Sequence, residues 1–195
     1  MNTLPITEST QTPDICQTVT SSQPIMSIAA GEHLIGAFVG RGSGPTLIVV
    51  GGLHGNEYAG AAALLELVEE LSDLRDSLDG RVYFLAGNTR AIAKKVRFID
   101  SDLNRHWTPH NMSIVGSAEL RKTSEGIELT ELDQELDGIL ITAMDEVFVL
   151  DLHSTSADGI PFATVGDTLR NRQFAQNFPV TILLGIEEQL DGTML

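Results

Sequence analysis

Cysteine occurs once in the 195 residues, at position 16. No intrachain disulfide framework can form, and the chain suits a reducing compartment. Basic residues are scarce as well: 12 Lys plus Arg stand against 27 Asp plus Glu, for a net charge of −15 at pH 7. A polyanion or an anionic bilayer would be repelled at long range, which argues against a general nucleic-acid or membrane binder. No apolar run approaches the roughly 20 residues that span a bilayer. The first twenty residues, rich in Thr, Ser and Gln, lack both the basic and the apolar region of a secretory signal. Asn111-Met112-Ser113 matches a glycosylation acceptor, but in a chain expected in the cytoplasm the match is chance.

Two groups of catalytic motif are missing too. There is no Gly-x-Ser-x-Gly elbow and Cys16 lies in the N-terminal tail, so nucleophilic serine or cysteine catalysis lacks a candidate. The Gly-rich run at 40–44 precedes a strand-like segment, whereas phosphate loops follow a strand and enter a helix. The run at 51–55 has that placement without the Gly-Lys-Ser/Thr ending.

What is present reads as one α/β domain. Hydrophobic residues make up 42%, enough for a packed core. Residues 1–24 lack periodicity and read as a flexible arm, leaving 25–195 as the domain. Residues 33–39 and 46–50 are apolar runs separated by a dense turn signal at 40–45, which predicts a hairpin. The spacing then predicts a helix over 58–74, with Leu64, Leu67, Val68 and Leu71 as its apolar stripe, and a strand over 81–86. Strand, helix and strand in this order make a βαβ unit with a largely parallel or mixed sheet. Residues 87–129 are polar and weakly periodic, and long irregular segments in compact domains are usually functional or disordered. Thr130 is the expected cap of a helix buried through Leu132, Leu136, Ile139, Leu140 and Ala143. A buried strand at 146–152 and a further one at 161–165 follow, then a helix at 168–176 and a strand at 180–184.

His54 and Glu57 come directly after the 46–50 strand, where ligands bind in α/β sheets. Imidazole and carboxylate suit Zn²⁺, and a catalytic zinc takes three protein ligands and an open position. His153, at the close of the 146–152 strand, is the third candidate. Alone, a His-x-x-Glu is more often a solvated polar pair, and His153 alone more often a hydrogen-bonded histidine; their shared placement at strand ends sets the two readings level. His106 and His110 lie in the irregular segment, where neither follows a strand, and His33 is expected to be exposed. A basic island stands out in this acidic chain. Arg90, Lys94, Lys95, Arg97 and Arg105 face only Asp100 and Asp102 within 90–105, a local charge of +3.

The runs Gly51-Gly52-Leu53-His54-Gly55-Asn56-Glu57, Gly87-Asn88, Arg97-Phe98-Ile99-Asp100-Ser101-Asp102-Leu103-Asn104-Arg105 and Asp151-Leu152-His153 occur in that order. Together they resemble the succinylglutamate desuccinylase/aspartoacylase family of zinc carboxypeptidase-like hydrolases, over roughly residues 33–195. The resemblance implies a three-layer α/β/α domain with one Zn²⁺ held by His54, Glu57 and His153. It implies that Arg97 stabilises the oxyanion formed when water attacks an amide, that Asn104 and Arg105 grip a substrate carboxylate, and that Asp102 orients a neighbouring group. A planar guanidinium suits both tasks; without the motif, Arg97 and Arg105 would read as surface ion pairs. The general-base glutamate of the family is expected beyond Leu195, since Glu187 and Glu188 come too early. The residues 191–195 resemble the start of a helix preceding the strand that bears it. The chain is therefore expected to be an N-terminal catalytic portion that binds zinc with little activity of its own. The activity implied is deacylation of a small N-acyl amino acid or related amine. A metallocarboxypeptidase and a non-catalytic zinc-binding relative are the alternatives.

Overall fold

A computed structural model describes residues 28–186 and 190–194; the predicted arm at 1–24, Cys16, Glu187 and Glu188 lie outside them. The strands are β1 (Leu34–Val39), β2 (Arg41–Gly51), β3 (Asp79–Ala86), β4 (Val147–Leu152), β5 (Phe162–Val165) and β6 (Thr181–Leu184). The helices are α1 (Ala59–Ser72), α2 (Thr89–Lys94), α3 (Pro109–Ser113), α4 (Ser124–Thr142) and α5 (Leu169–Ala175). The fold is α/β, with a mixed four-stranded sheet in the order β1-β3-β2-β4 and a separate parallel pair, β5-β6.

β2 runs parallel to both β3 and β4, and α1 and α4 pack on its opposite faces, which explains its uninterrupted apolar stretch. Ile48 and Val50 pack with Leu129, Leu132 and Ile139 of α4. Val49 points the other way, with Phe38, Phe84 and Leu64 of α1. Leu64 is 1% exposed, a burial that contributes about 2 kcal/mol. Leu67, expected in the same stripe, is exposed at the margin of that face.

The expected hairpin does not form. β1 pairs antiparallel with β3 instead, from Leu34↔Leu85 to Val39↔Arg81. The α1 crossover lays β3 along one edge of β2 and β4 takes the other, so β1 cannot pair with β2 and joins instead at the outer edge of β3. The predicted turn at 40–45 falls inside β2, whose register with β3 breaks between Arg41 and Thr46.

Two further expectations fail for packing reasons. Helix α4 begins about two turns before Thr130: Thr123 caps it, its side chain accepting from Gly126 N at 3.1 Å. Thr130 sits inside the helix and donates to Gly126 O at 2.8 Å. Leu140 is exposed and Ala143 lies past the last turn. Strand β4 is only half-buried, because no strand among the described residues pairs with its second edge. Residues 191 and 192 form a turn rather than a helix start.

Candidate metal centre

The carboxyl ends of β2, β3 and β4 lie side by side, with Gly51 opposite both Ala86 and Leu152. The chain leaves β2 through Gly52, whose φ of +79° suits a glycine. Gly55 then presses against the backbone of α2, where an added Cβ would lie 2.1 Å from the Ala91 carbonyl carbon. With Leu53 fully buried between them, the turn that carries His54 and Glu57 has one path.

Glu57 reaches both imidazoles. Its Oε1 lies 2.9 Å from His54 Nδ1 and its Oε2 3.0 Å from His153 Nδ1. Ser154 N also donates to Oε2, at 2.9 Å. The far nitrogen of each ring meets an aspartate: His54 Nε2 is 2.9 Å from Asp102 Oδ1, and His153 Nε2 is 2.7 Å from Asp151 Oδ2. The three side chains His54, Glu57 and His153 offer donor atoms within 4.8 Å of one another. This set suits a divalent cation of borderline softness: two imidazole nitrogens, one carboxylate, and an aspartate behind each ring to fix its tautomer.

The charges are tightly coupled. Burial alone would raise the Glu57 carboxyl, but the Ser154 N–H and both histidines outweigh it and hold it below its ordinary value. Asp102 is lowered in the same way, with burial opposed by His54, the Asn104 N–H and Arg97. Burial would lower the His153 imidazole, yet Asp151 and then Glu57 push it up to about 9.

The segment 97–105 borders this centre. Arg97 is half-exposed; its Nη1 donates to Glu57 Oε1 at 3.2 Å and its Nη2 to Asp102 Oδ2 at 3.3 Å. Asn104 is buried, its Nδ2 3.4 Å from His153 Nε2 and its Oδ1 accepting from Met194 N at 3.0 Å. Arg105 is exposed. His106 Nε2 meets Ser101 Oγ at 2.8 Å, and His110 is exposed; neither joins the cluster.

The basic island does not act as one patch. Arg90 turns away from the centre, its Nη1 2.7 Å from both Glu128 Oε1 and Glu131 Oε2. His33, expected at the surface, is 2% exposed; its Nδ1 meets the Ala86 carbonyl at 2.8 Å, and its Nε2 is 3.4 Å from Glu128. Sequence reasoning missed this cluster because its partners lie on separate elements. His33, Glu128 and Glu131 are a second group with donor atoms in metal-ligating reach, but Arg90 already supplies their cation.

Residues 43–180 match the family model of the succinylglutamate desuccinylase/aspartoacylase catalytic domain. An N-acyl-aromatic-L-amino acid amidohydrolase (carboxylate-forming) of Xenopus tropicalis is 32% identical over 149 residues, covering 71% of this chain and 46% of that protein. The succinylglutamate desuccinylase of Pseudomonas paraeruginosa is 36% identical over 78 residues, covering 40% and 24%. Among solved structures, a succinylglutamate desuccinylase from Chromobacterium violaceum aligns with a TM-score of 0.60 at 20% identity, over 77% of this chain and 47% of that one. The ectoine utilization protein EutE of Ruegeria pomeroyi aligns with a TM-score of 0.53 at 25% identity, over 80% and 46%. The chain spans less than half the length of each of these relatives.

Proposed function

The chain belongs to the succinylglutamate desuccinylase/aspartoacylase family, and from that premise we propose that it forms the metal-bearing part of a zinc-dependent amidohydrolase acting on a small N-acyl amino acid or related N-acyl amine. The relatives it matches carry the names of acylases and desuccinylases. We take the sheet and its flanking helices as part of a three-layer α/β/α domain.

One observation carries the reading. Glu57 faces Nδ1 of His54 and Nδ1 of His153, while an aspartate lies against the opposite nitrogen of each ring. If the Nε2 atoms carry the protons that the aspartates accept, both Nδ1 lone pairs point at an ionised carboxylate. Three acceptors converging on one point call for a cation between them. Without a cation the same contacts are met by protonating both rings, the state toward which Asp151 and Glu57 push His153, and that confines two positive charges about 5.0 Å apart between ring centroids.

When bound there, zinc supplies an activated water and polarises the amide carbonyl. The protein's own groups do the rest. Glu57 with the two imidazoles holds the cation, and Asp102 and Asp151 keep both rings turned toward it. Arg97 directs its guanidinium at the oxyanion that develops on the carbonyl, where a preorganised donor acts most strongly. Asn104 and Arg105 grip the substrate carboxylate, the exposed guanidinium of Arg105 in a bidentate manner. Glu57, Asp102 and Asp151 each face a ring nitrogen, and proton transfer to the leaving amine is assigned to none of them.

Hydrolysis of N-acetyl and N-succinyl amino acids by the full-length protein, with and without chelator, tests the proposal. Turnover that stops with chelator and returns with zinc is expected; chelator-insensitive turnover overturns the mechanism.

A further inference from the structure

Arg97, Asp102, Asn104 and Arg105 lie on a segment with little regular structure, and backbone donors in such a segment need partners if it is to hold one shape. Those partners are concentrated on one side chain. Glu125, in the first turn of α4, is fully buried. Its Oε1 accepts from Ile99 N at 2.7 Å and from Asn88 Nδ2 at 3.0 Å. Its Oε2 accepts from Asp100 N at 2.9 Å and from Ser101 N at 3.3 Å. The contact is reciprocal, since Asp100 Oδ2 accepts from Ser124 N at 2.7 Å, at the amino end of the same helix.

Asn88 extends the connection toward the metal centre. Its Oδ1 caps α2 by accepting from Ala91 N at 3.0 Å, and its backbone N–H donates to Gly52 O at 2.9 Å. Glu125 therefore joins the 99–101 backbone to the turn after β2 that bears His54 and Glu57. Burial alone would raise its carboxyl, but the hydrogen bonds from Ile99, Asn88, Asp100 and Ser101 outweigh it and hold the group below its ordinary value. A carboxylate that stays ionised makes charge-assisted bonds, the stronger kind.

We propose that Glu125 is a positioning residue for the reaction proposed above: by fixing the backbone of residues 99–101 it sets Arg97 and Asp102 against Glu57 and His54. It touches neither metal ligand nor substrate and acts only through the segment it holds. Its part in catalysis rests on the amidohydrolase reading, whereas its hold on the segment does not.

The test compares wild type with Glu125→Gln and Glu125→Asp. Glutamine keeps the volume but turns an NH2 toward backbone N–H groups, removing at least one pair of bonds. Aspartate keeps the charge and withdraws it by one methylene. In the metal-free protein, amide hydrogen exchange at residues 99–101 is expected to accelerate by about tenfold or more in the Gln variant, while amides of β2 change little. Zinc affinity of the folded protein, measured by chelator competition, is expected to fall about tenfold, because Asp102 no longer holds His54. The Asp variant should fall between the two on both measures, and it carries the test alone if the Gln variant does not fold. Wild-type protection at 99–101 in a folded variant overturns the proposal, as does unchanged zinc affinity with only a lower Tm. If wild type binds no zinc, the amidohydrolase reading fails, and the exchange result still decides whether Glu125 holds the segment.

Discussion

A carboxylate with 2% of its side chain exposed, and with its Oδ1 lacking any hydrogen-bond partner, is expensive to bury. Asp151 is such a group, and its return is the orientation of His153 through Oδ2. Asp151→Asn keeps the shape and can keep the hydrogen bond while removing the charge. Zinc affinity is expected to drop about 10–100-fold, as for other partners standing behind a metal-bound histidine. Competition against a chromophoric chelator measures it, and unchanged affinity would show that the aspartate does not support the centre. At this scale the sequence is informative where function follows from local position. His54, Glu57 and His153 stand out because each comes directly after an apolar run that has to be a strand. Arg90 could not be placed that way. Its partners Glu128 and Glu131 lie 38 and 41 residues further on, and nothing local distinguishes it from a solvated loop cation.

Helix α4 shows why element boundaries were harder to read. Its first turns bury Glu125, Glu128 and Leu129, so acids occupy positions where an apolar stripe would be sought. Periodicity resumes only near Leu132, which makes Thr130 look like a cap. The β1–β2 hairpin failed for the converse reason: a strong local turn signal cannot report that β1 pairs with a strand that follows a whole helix. The buried acids also give the helix a pH dependence. Burial would raise the Glu131 carboxyl, but Arg90, then His33, hold it below its ordinary value of 4.5, and Glu125 is held down as well. A carboxyl whose folded pKa lies below the unfolded one contributes stability that is complete above the unfolded value. That contribution disappears as pH falls through the folded value. Asp133, raised by burial and by Asp137, pulls the other way. His153, pushed up to about 9, adds stability as pH falls from there through its ordinary value of 6.5. Denaturant midpoints should thus rise as pH falls to about 6, stay level to about pH 5 and fall below about 4.5, with a shallower fall in Glu131→Gln. Stability that rose below about pH 4.5 would contradict the carboxylate assignment.

Over the whole molecule, a net charge of −15 is spread outside a few local pairings. Arg90, Arg97, Arg170 and Arg172 each already face a carboxylate, so much of the remaining acidity is unopposed and repels itself. Raising ionic strength from about 0.01 to 0.15 M shortens the screening length from roughly 30 to 8 Å. Tm is expected to rise over that range, followed by calorimetry in a non-coordinating buffer. A fall would mean that the arginine pairings outweigh the general repulsion.

The sheet order also has a consequence in time. β2 needs β3 on one edge and β4 on the other, and His153 follows Glu57 by 96 residues. A ribosome adding roughly 5–20 residues per second leaves a gap of several seconds between them. Throughout that interval the nascent chain displays His54 and Glu57 as an incomplete claw, able to meet a cation but not to close on it. Arrival of β4 completes the sheet and the grip in one event. If the centre takes the cation proposed for it, loading waits until β4 has been made, when the order of these strands has already been decided.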